Sequence, residues 1–333
     1  MRRMVSLLIP IYNVHNYIER CARSLFEQTY DNIEFVFIND CSPDNSIGIL
    51  GRVMEEYPHL HKQIKIINHE RNRGLAASRL TGIDNASGDY LMFVDSDDYL
   101  ELNAVKMLME EAMESDYEIV TGGIRHIFEN KCFVSLPPIG VSRDSFLRLI
   151  LKGSISHNTV SRVYKKELFT KNKRLFVEGI NSGEDYLMVS RVFYDAKRVS
   201  FVNAPLYNYI HTNPTSFTAR FIRNNYDQQI EAERLVREFY EEKGETVFID
   251  AQIEGCLKNK AQSIILLLLN DYNLSDYKYV AGMYSSDEQI YLHKIPLQYR
   301  MVLQLSKRIG DKDLSRIVRL GYGLKGFYKR IVS

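Results

Sequence analysis

Short apolar runs alternate with amphipathic stretches from Val5 to Val120. The runs VSLLIP, EFVFIN, IKIIN, DYLMFVD and YEIVTG have the length and composition of buried strands. Apolar side chains recur at helical spacing in the stretches between them, at residues 14–29, 44–56, 74–86 and 101–114. This order predicts βαβ units and an α/β fold with a mostly parallel, Rossmann-like sheet.

The pattern changes after residue 220. From there the sequence shows long helical patterns rich in Glu, Lys, Leu and Tyr, without a strand signal. We therefore predict a catalytic domain over residues 1–220 and an all-helical C-terminal domain over residues 221–333. The second domain would contact an acceptor, another copy of the chain or a membrane.

The charge and cysteine content exclude some classes of protein. The 333 residues include 43 Lys and Arg against 42 Asp and Glu, a formal net charge of +1. No global positive field would attract phosphate backbones, so we expect no nucleic-acid partner. Four widely spaced cysteines without a Cys-x-x-Cys pair argue against a zinc site or a disulfide scaffold and fit the cytoplasm.

A membrane is relevant only to the C-terminal segment. The longest apolar run, IILLLL, is far shorter than the ~20 residues of a spanning helix. The segment RIVRLGYGLKGFYKRIVS combines basic and apolar residues, as interfacial helices do, although its three glycines weaken a helix. We expect a cytoplasmic protein that can lie peripherally at the inner face of a membrane; a solvated tail or a homo-oligomer contact is the alternative.

Three carboxylates follow the fourth predicted strand within four positions: Asp95, Asp97 and Asp98. Such a cluster is relieved by a divalent cation, and oxygen ligands without Cys or His favour Mg or Mn. Asp97 and Asp95 are the predicted metal ligands. The alternative is that Asp97 or Asp98 caps the helix that begins near Glu101.

Polar residues also follow the neighbouring strands, where ligands of such sheets bind. Asp40 could accept the imide hydrogen of uracil, or it could form an Asx turn. Asn72 and Arg79 could face a base-binding crevice, with a surface ion pair as the alternative for Arg79. Glu184 and Asp185 lie in a first helical turn, where the helix dipole alone would favour them.

Together these segments resemble the family 2 glycosyltransferases, which have a GT-A type nucleotide-diphosphosugar fold. The resemblance covers roughly residues 4–215. It is carried by VSLLIPIYN, FINDCSPDNS, NRGLAASRLTGIDNASGDYLMFVDSDD and GED, in the order and approximate spacing of that family.

The resemblance implies a role for each matching position. Residues that would hold the base are Pro10, Tyr12, Asp40, Asn72 and Arg79. Asp95 and Ser96 would contact the donor, Asp97 would bind Mn or Mg, and Asp98 would order the loop or touch the donor sugar. His211 and Ser216 would meet the diphosphate, although a merely packed histidine is the alternative for His211.

The resemblance also implies the chemistry. Asp185 would act as general base on the acceptor hydroxyl, with Glu184 beside it as an acceptor-binding residue. The predicted enzyme is an inverting hexosyl- or N-acetylhexosaminyl-transferase that uses a UDP-sugar and builds a surface polysaccharide or related glycan. The donor sugar, the acceptor, the choice of Mn or Mg and the oligomeric state are left open.

Two other functions fit parts of the sequence. FVDSDD also looks like the nucleophile motif of haloacid-dehalogenase-like phosphohydrolases, but that class carries it on the first strand and with Thr or Val after the pair. A non-catalytic nucleotide-sugar binding protein would keep the fold, but the retention of Asp97 and Asp185 argues against it.

Overall fold

The structure is a computed structural model that describes residues 3–170, 175–213, 222–269, 274–283, 287–308 and 310–322. Nine of its strands form one sheet, listed here in chain order. They are β1 (Val5–Ile11), β2 (Ile33–Asn39), β3 (Ile64–Asn68), β4 (Tyr90–Phe93), β5 (Tyr99–Leu100), β6 (Ile119–Ile127), β7 (Cys132–Ser135), β8 (Arg162–Lys165) and β9 (Val199–Ile210).

The sheet is mixed, and its parallel part comes first. Its strands run in the order β3-β2-β1-β4-β8-β6-β9-β5, and β7 pairs with β6. Strands β1 to β4 are parallel neighbours, whereas β8 is antiparallel to both β4 and β6. The carboxyl ends of β1, β2 and β4 therefore meet at one edge, beside the end of β9, which runs parallel to β6.

Seven helices lie among the described residues that precede residue 200. They are α1 (Ile18–Phe26), α2 (Ser46–Glu55), α3 (Leu75–Asn85), α4 (Ala104–Glu114), α5 (Arg143–Leu151), α6 (Glu167–Thr170) and α7 (Glu184–Asp195), with a 3-10 turn at Pro58–Gln63. Helix α1 buries Ile18, Leu25 and Phe26 against the sheet. Strand β1 is buried along its whole length, so the core lies between this sheet and its helices.

The C-terminal region is helical. It contains α8 (Arg223–Glu242), α9 (Thr246–Leu269), α10 (Leu274–Gly282), α11 (Leu297–Ser306) and α12 (Asp311–Tyr322), with a 3-10 segment at Asp287–Lys294. Helix α9 is central to it, since α10, α11 and α12 all pack against α9. No helix in the described residues is long and apolar enough to cross a membrane.

The contacts divide the described residues into two compact units. One unit takes its residues from 1–147, 157–220 and 224–236, and the other from 148–156, 221–223 and 237–333. The division differs from a single cut at residue 220, because the end of α5 belongs to the second unit and the first half of α8 to the first. Residues 323–333, which hold most of the basic segment, lie outside the described residues.

The structure departs from the predicted pattern in the second half of the sheet. YEIVTG was expected as a fifth strand of a mostly parallel sheet, but β8 lies antiparallel between β4 and β6. The two-residue strand β5 lies directly before the helix expected at 101–114, and α4 starts at Ala104, three residues later than expected. Both differences arise from pairing with distant segments, which local periodicity does not encode.

Substitution of Gly88 is a test of the close packing at the amino end of the sheet. A Cβ there would lie 2.7 Å from the Ser6 backbone nitrogen and 2.9 Å from the Met4 carbonyl oxygen. We expect Gly88→Ala to lower the free energy of unfolding by about 1–3 kcal/mol in urea titrations. The control Gly51→Ala lies in α2 with nothing within 4 Å and should gain up to about 1 kcal/mol. Equal stability of the two variants would contradict the packing described.

Candidate active site

A buried guanidinium lies at the centre of the polar residues at this sheet edge. Arg79, on the second turn of α3, has 1% of its side chain exposed. Its Nη2 donates to Asp95 Oδ1 at 3.1 Å, and its Nη1 donates to Glu184 Oε1 at 2.9 Å and also to Asp185. Burial alone would lower the pKa of Arg79, but these carboxylates raise it, so the side chain stays charged.

The start of α7 delivers two further carboxyl groups, Glu184 and Asp185, to this edge. Gly183 precedes the helix in the left-handed conformation, with φ of 89°, and turns the chain so that the next two side chains reach Arg79. Glu184 is 6% exposed. Thr159 fixes Asp185 from the other side, since its backbone N–H donates to Oδ2 at 3.3 Å and its hydroxyl to Oδ1 at 3.2 Å.

Burial dominates the acid-base behaviour of two of these carboxyls. It raises the pKa of Asp95 to about 6, although Arg79 opposes the shift. It raises the pKa of Glu184 to about 8, and the neighbouring Asp185 adds to the shift. Both side chains therefore resist ionisation, and an additional positive charge at this edge would favour their ionised forms.

Asp98 orders the loop that follows β4. It is 2% exposed, and its carboxylate accepts a hydrogen bond from the Tyr207 hydroxyl at 2.8 Å and from the Ile210 N–H at 2.7 Å. The Tyr207 oxygen in turn accepts the Asp95 N–H at 3.1 Å. Burial raises the pKa of Asp98, and the charges of the two nearby aspartates add to it. Both carboxylate oxygens of Asp98 accept hydrogen bonds from β9. This favours a role for Asp98 in ordering the loop over a contact with a donor.

Asp97 points to the same end of β9 from a more exposed position. Its Oδ2 accepts a hydrogen bond from the Asn213 amide at 2.9 Å. Among the described residues, no group of three or more His, Cys, Asp or Glu side chains is arranged to hold a metal ion. One or two carboxylates suffice for Mg when phosphate oxygens and water complete the shell, so Asp97 with the second oxygen of Asp95 fits a cation that arrives with a diphosphate.

Asp40 ties the end of β2 to the loop before α3. Its Oδ1 accepts from His69 Nδ1 at 2.7 Å and from the Arg73 N–H at 2.8 Å, and its Oδ2 accepts from the Gly74 N–H at 2.8 Å. His69 is held by the Thr81 hydroxyl, 2.9 Å from Nε2. A carboxylate has about four lone-pair positions, so one position on Oδ2 is left for an imide hydrogen.

The remaining sequence candidates differ in exposure. Pro10 and Ser96 are buried, whereas Tyr12 is 47% exposed and Asn72 is exposed. The ring of His211 stacks on Phe128. Ser216 lies outside the described residues.

Sequence reasoning missed four residues of the site: His69, Thr159, Tyr207 and Asn213. Each acts through a hydrogen bond to a predicted carboxylate from a segment distant along the chain. A tyrosine and a histidine near strand ends offered a weak signal. Thr159 offered none, because its loop carries no recognisable motif.

Comparisons with known proteins show which family and fold this chain is similar to. The family described as Glycosyl transferase family 2 matches residues 6–169. The chain is 34% identical over 224 residues to the uncharacterized glycosyltransferase EpsJ of Bacillus subtilis, covering 65% of this chain and 63% of EpsJ. It is 26% identical over 204 residues to a poly(ribitol-phosphate) beta-glucosyltransferase of Bacillus spizizenii, covering 59% and 30%. The chain thus spans less than two thirds of the length of either relative.

Solved structures share the architecture. The crystal structure of S. aureus TarS residues 1–349 in complex with UDP-GlcNAc matches with a TM-score of 0.72 at 19% identity, covering 96% of this chain and 91% of that one. Another crystal structure of S. aureus TarS residues 1–349 matches with a TM-score of 0.70 at 20% identity. The predicted GT-A fold with a helical C-terminal region is confirmed.

The raised pKa of Glu184 predicts a pH-dependent stability. Its pKa of about 8 in the folded chain, against 4.5 for a solvent-exposed glutamate, means that the folded state binds the proton more tightly. The free energy of unfolding contributed by Glu184 is therefore fully present below pH 4.5 and is lost as the pH rises through about 8. Glu184→Gln cannot ionise but keeps an oxygen that can accept from Arg79.

We expect the fall in the free energy of unfolding between pH 5 and pH 8 to be smaller in Glu184→Gln than in the parent, by at least about 1 kcal/mol. Urea titrations in EDTA at both pH values measure it. The control is Glu110→Gln on the exposed side of α4. Parallel pH profiles of parent and Glu184→Gln would show that Glu184 does not resist ionisation.

Proposed function

We propose that this chain, which matches glycosyl transferase family 2 over residues 6–169, transfers a sugar from a UDP-sugar to an acceptor hydroxyl with inversion at the anomeric carbon. One observation carries the proposal. A single guanidinium, Arg79, binds both the first carboxylate of the donor loop, Asp95, and the carboxylate at the acceptor side, Asp185. The two halves of a transfer site are thereby held within the span of one side chain.

Asp185 is the general base of the proposed reaction. The acceptor hydroxyl gives its proton to the carboxylate while its oxygen forms a bond to the anomeric carbon. The bond from that carbon to the diphosphate oxygen breaks, and UDP leaves with the electron pair. Thr159 and Arg79 hold Asp185 in one orientation, so little rearrangement is needed before proton transfer.

The donor loop supports the departure of the diphosphate. We place Asp97 and Asp95 as the residues that would hold Mn or Mg, a cation that would neutralise the charge that develops on the leaving group. Asn213 orients Asp97 for this role. We place the uracil ring between the exposed Tyr12 and Asp40, whose Oδ2 already accepts from the Gly74 N–H.

The class of donor is supported by the resemblance of fold. TarS is described in complex with UDP-GlcNAc and with UDP, which favours a UDP-sugar with a hexose or N-acetylhexosamine. One curated relative is named as a glucosyltransferase that acts on poly(ribitol-phosphate), which supports a surface polymer as product class. The expectations of a peripheral membrane contact and of a homo-oligomer stay predictions.

Asp97→Asn and Asp185→Asn form a matched pair that separates donor binding from catalysis. We expect Asp97→Asn to weaken Mn-dependent binding of UDP about tenfold or more, because one anionic ligand of the cation is lost. We expect Asp185→Asn to bind UDP as the parent does and to lose turnover of a UDP-sugar by about 10²–10⁴. Calorimetric titration with Mn and with EDTA measures the first effect, and release of UDP measures the second.

The titration also includes GDP, CDP and dTDP. Selective, Mn-dependent binding of UDP to the parent supports the donor assignment. If none of the four nucleotides binds the parent chain, or if Asp185→Asn keeps full turnover, the proposed function is wrong.

A further inference from the structure

The turn that precedes α7 is held by two other helices. We call residues 178–183 the α7 loop; it ends at Gly183, directly before Glu184 and Asp185. The start of α3 contacts the loop from one side, and the first half of α8 contacts it from another. These segments belong to the same compact unit, which includes residues 224–236 of α8. No step of the proposed reaction uses a residue of α8.

The side chain of Asn181 attaches the α7 loop to the start of α3. Its Oδ1 accepts from the Ala76 N–H at 3.1 Å, one of the N–H groups that have no partner within the first turn of a helix. Gly74 permits this approach, because a Cβ there would lie 2.5 Å from Asn181 Oδ1. The loop is therefore fixed to the helix whose second turn carries Arg79.

Gln228 of α8 holds the backbone of the same loop. Its Oε1 accepts from the Asn181 N–H at 2.8 Å and from the Ser182 N–H at 3.1 Å. An amide oxygen has two lone-pair positions, so these two bonds use its full capacity as an acceptor. Two successive N–H groups that point to one oxygen fix the orientation of the chain just before Gly183.

The backbone of α8 also lies close to α7. A Cβ at Gly183 would lie 2.9 Å from Ala232 Cβ and 3.2 Å from Gln229 Cα. Glycine is thus required there by the close approach as well as by the positive φ. Farther along α7, Arg191 Nη2 donates to the Leu235 carbonyl at 2.9 Å. Helix α8 therefore contacts α7 at its start and again about two turns later.

We propose that Gln228 is a positioning residue of the transfer reaction, which places the carboxylate of Asp185 by holding the Asn181 and Ser182 amides. This inference rests on the proposed function for the role of Asp185 as general base. Gln228 lies beyond residues 6–169, which match the family, and beyond the domain boundary predicted at residue 220. The first half of α8 is thus part of the catalytic unit.

The position of the base affects turnover more than it affects donor binding. Asp185 has to lie within hydrogen-bond reach of the acceptor hydroxyl, and a displacement of about 1 Å can lower the rate about 100-fold. The donor-loop carboxylates Asp97 and Asp98 are held by Asn213 and by β9 instead. Loss of Gln228 should therefore lower kcat and leave the affinity for UDP unchanged.

Three variants of the full chain test the acceptor oxygen of Gln228. Gln228→Met removes this oxygen but keeps the length and the helix propensity of the side chain. Gln228→Glu keeps an acceptor oxygen at the same position. Gln298→Met is the matched control, the same change at an exposed position of α11. If Gln228→Met folds poorly, Gln228→Ala replaces it, because alanine also lacks the oxygen.

We expect Gln228→Met to lower kcat about ten- to a hundredfold, measured as release of UDP from UDP-glucose, UDP-galactose or UDP-N-acetylglucosamine. The donor KM and the calorimetric Kd of UDP should stay within about twofold of the parent. Gln228→Glu should keep kcat within about threefold, and Gln298→Met should match the parent. Hydrogen exchange, followed by mass spectrometry, should be faster in the peptide with Asn181 and Ser182 in Gln228→Met alone.

Four results would overturn the proposal. Unchanged kcat in Gln228→Met would show that the α7 loop does not control the base, and unchanged hydrogen exchange would show that Gln228 does not hold the loop. An equal loss of kcat in Gln228→Glu would mean that the acceptor oxygen is not the cause. A parallel loss of UDP affinity would mean a general structural defect.

A different result would refute the proposed function instead. A parent chain that neither binds UDP nor releases it from the three donors has no base for Gln228 to position. The hydrogen exchange of Asn181 and Ser182 does not depend on turnover, so it would still decide whether Gln228 holds the α7 loop.

Discussion

The site depends on the compensation of one buried cation by three carboxylates. Arg79 comes from α3, Asp95 from the end of β4, and Glu184 and Asp185 from α7. Removing one partner of such a buried group strands a charge and costs about 3–5 kcal/mol, whereas the intact group contributes little net stability. The arrangement therefore fixes the relative position of three elements more than it strengthens the fold.

The carboxyl groups outnumber the guanidinium, and this imbalance of charge matters for function. One guanidinium faces three carboxyls, two of which have a pKa raised by burial. The edge therefore carries an excess of potential negative charge that a divalent cation can neutralise. The excess of carboxyl groups around Arg79 gives a structural reason for the proposed cation. The sequence had indicated a cation only through the close spacing of Asp95, Asp97 and Asp98 along the chain.

The first half of the fold follows from sequence periodicity, and the second half does not. Strands β1 to β4 and helices α1 to α3 match the predicted runs because each pairs with a near neighbour in a βαβ unit. Strand β8 inserts between β4 and β6 from far along the chain, and no local pattern specifies such pairing. In the same way, Asp40 and Asp98 were recognised as polar strand ends, but their partners His69 and Tyr207 come from other segments.

Arg79 shows why residue type and position are insufficient to assign a role. The sequence allowed it a place in the base crevice or a surface ion pair, and the structure buries it completely under two aromatic rings, Phe93 and Phe176. A guanidinium is suited to this position because its planar fork donates in several directions at once. Lysine would present a single ammonium and could not span Asp95 and Asp185 with separate nitrogens. The residue thus connects Asp95 at the end of β4 to Asp185 at the start of α7.

Strand β9 connects the site in a second way. Tyr207 and Ile210 hold Asp98, and Asn213, three residues beyond the strand, holds Asp97. Because Ile210 and Asn213 are only three positions apart, the end of β9 restrains Asp98 and Asp97 together. Strand β9 therefore fixes the loop after β4 independently of Arg79, which restrains the same loop through Asp95.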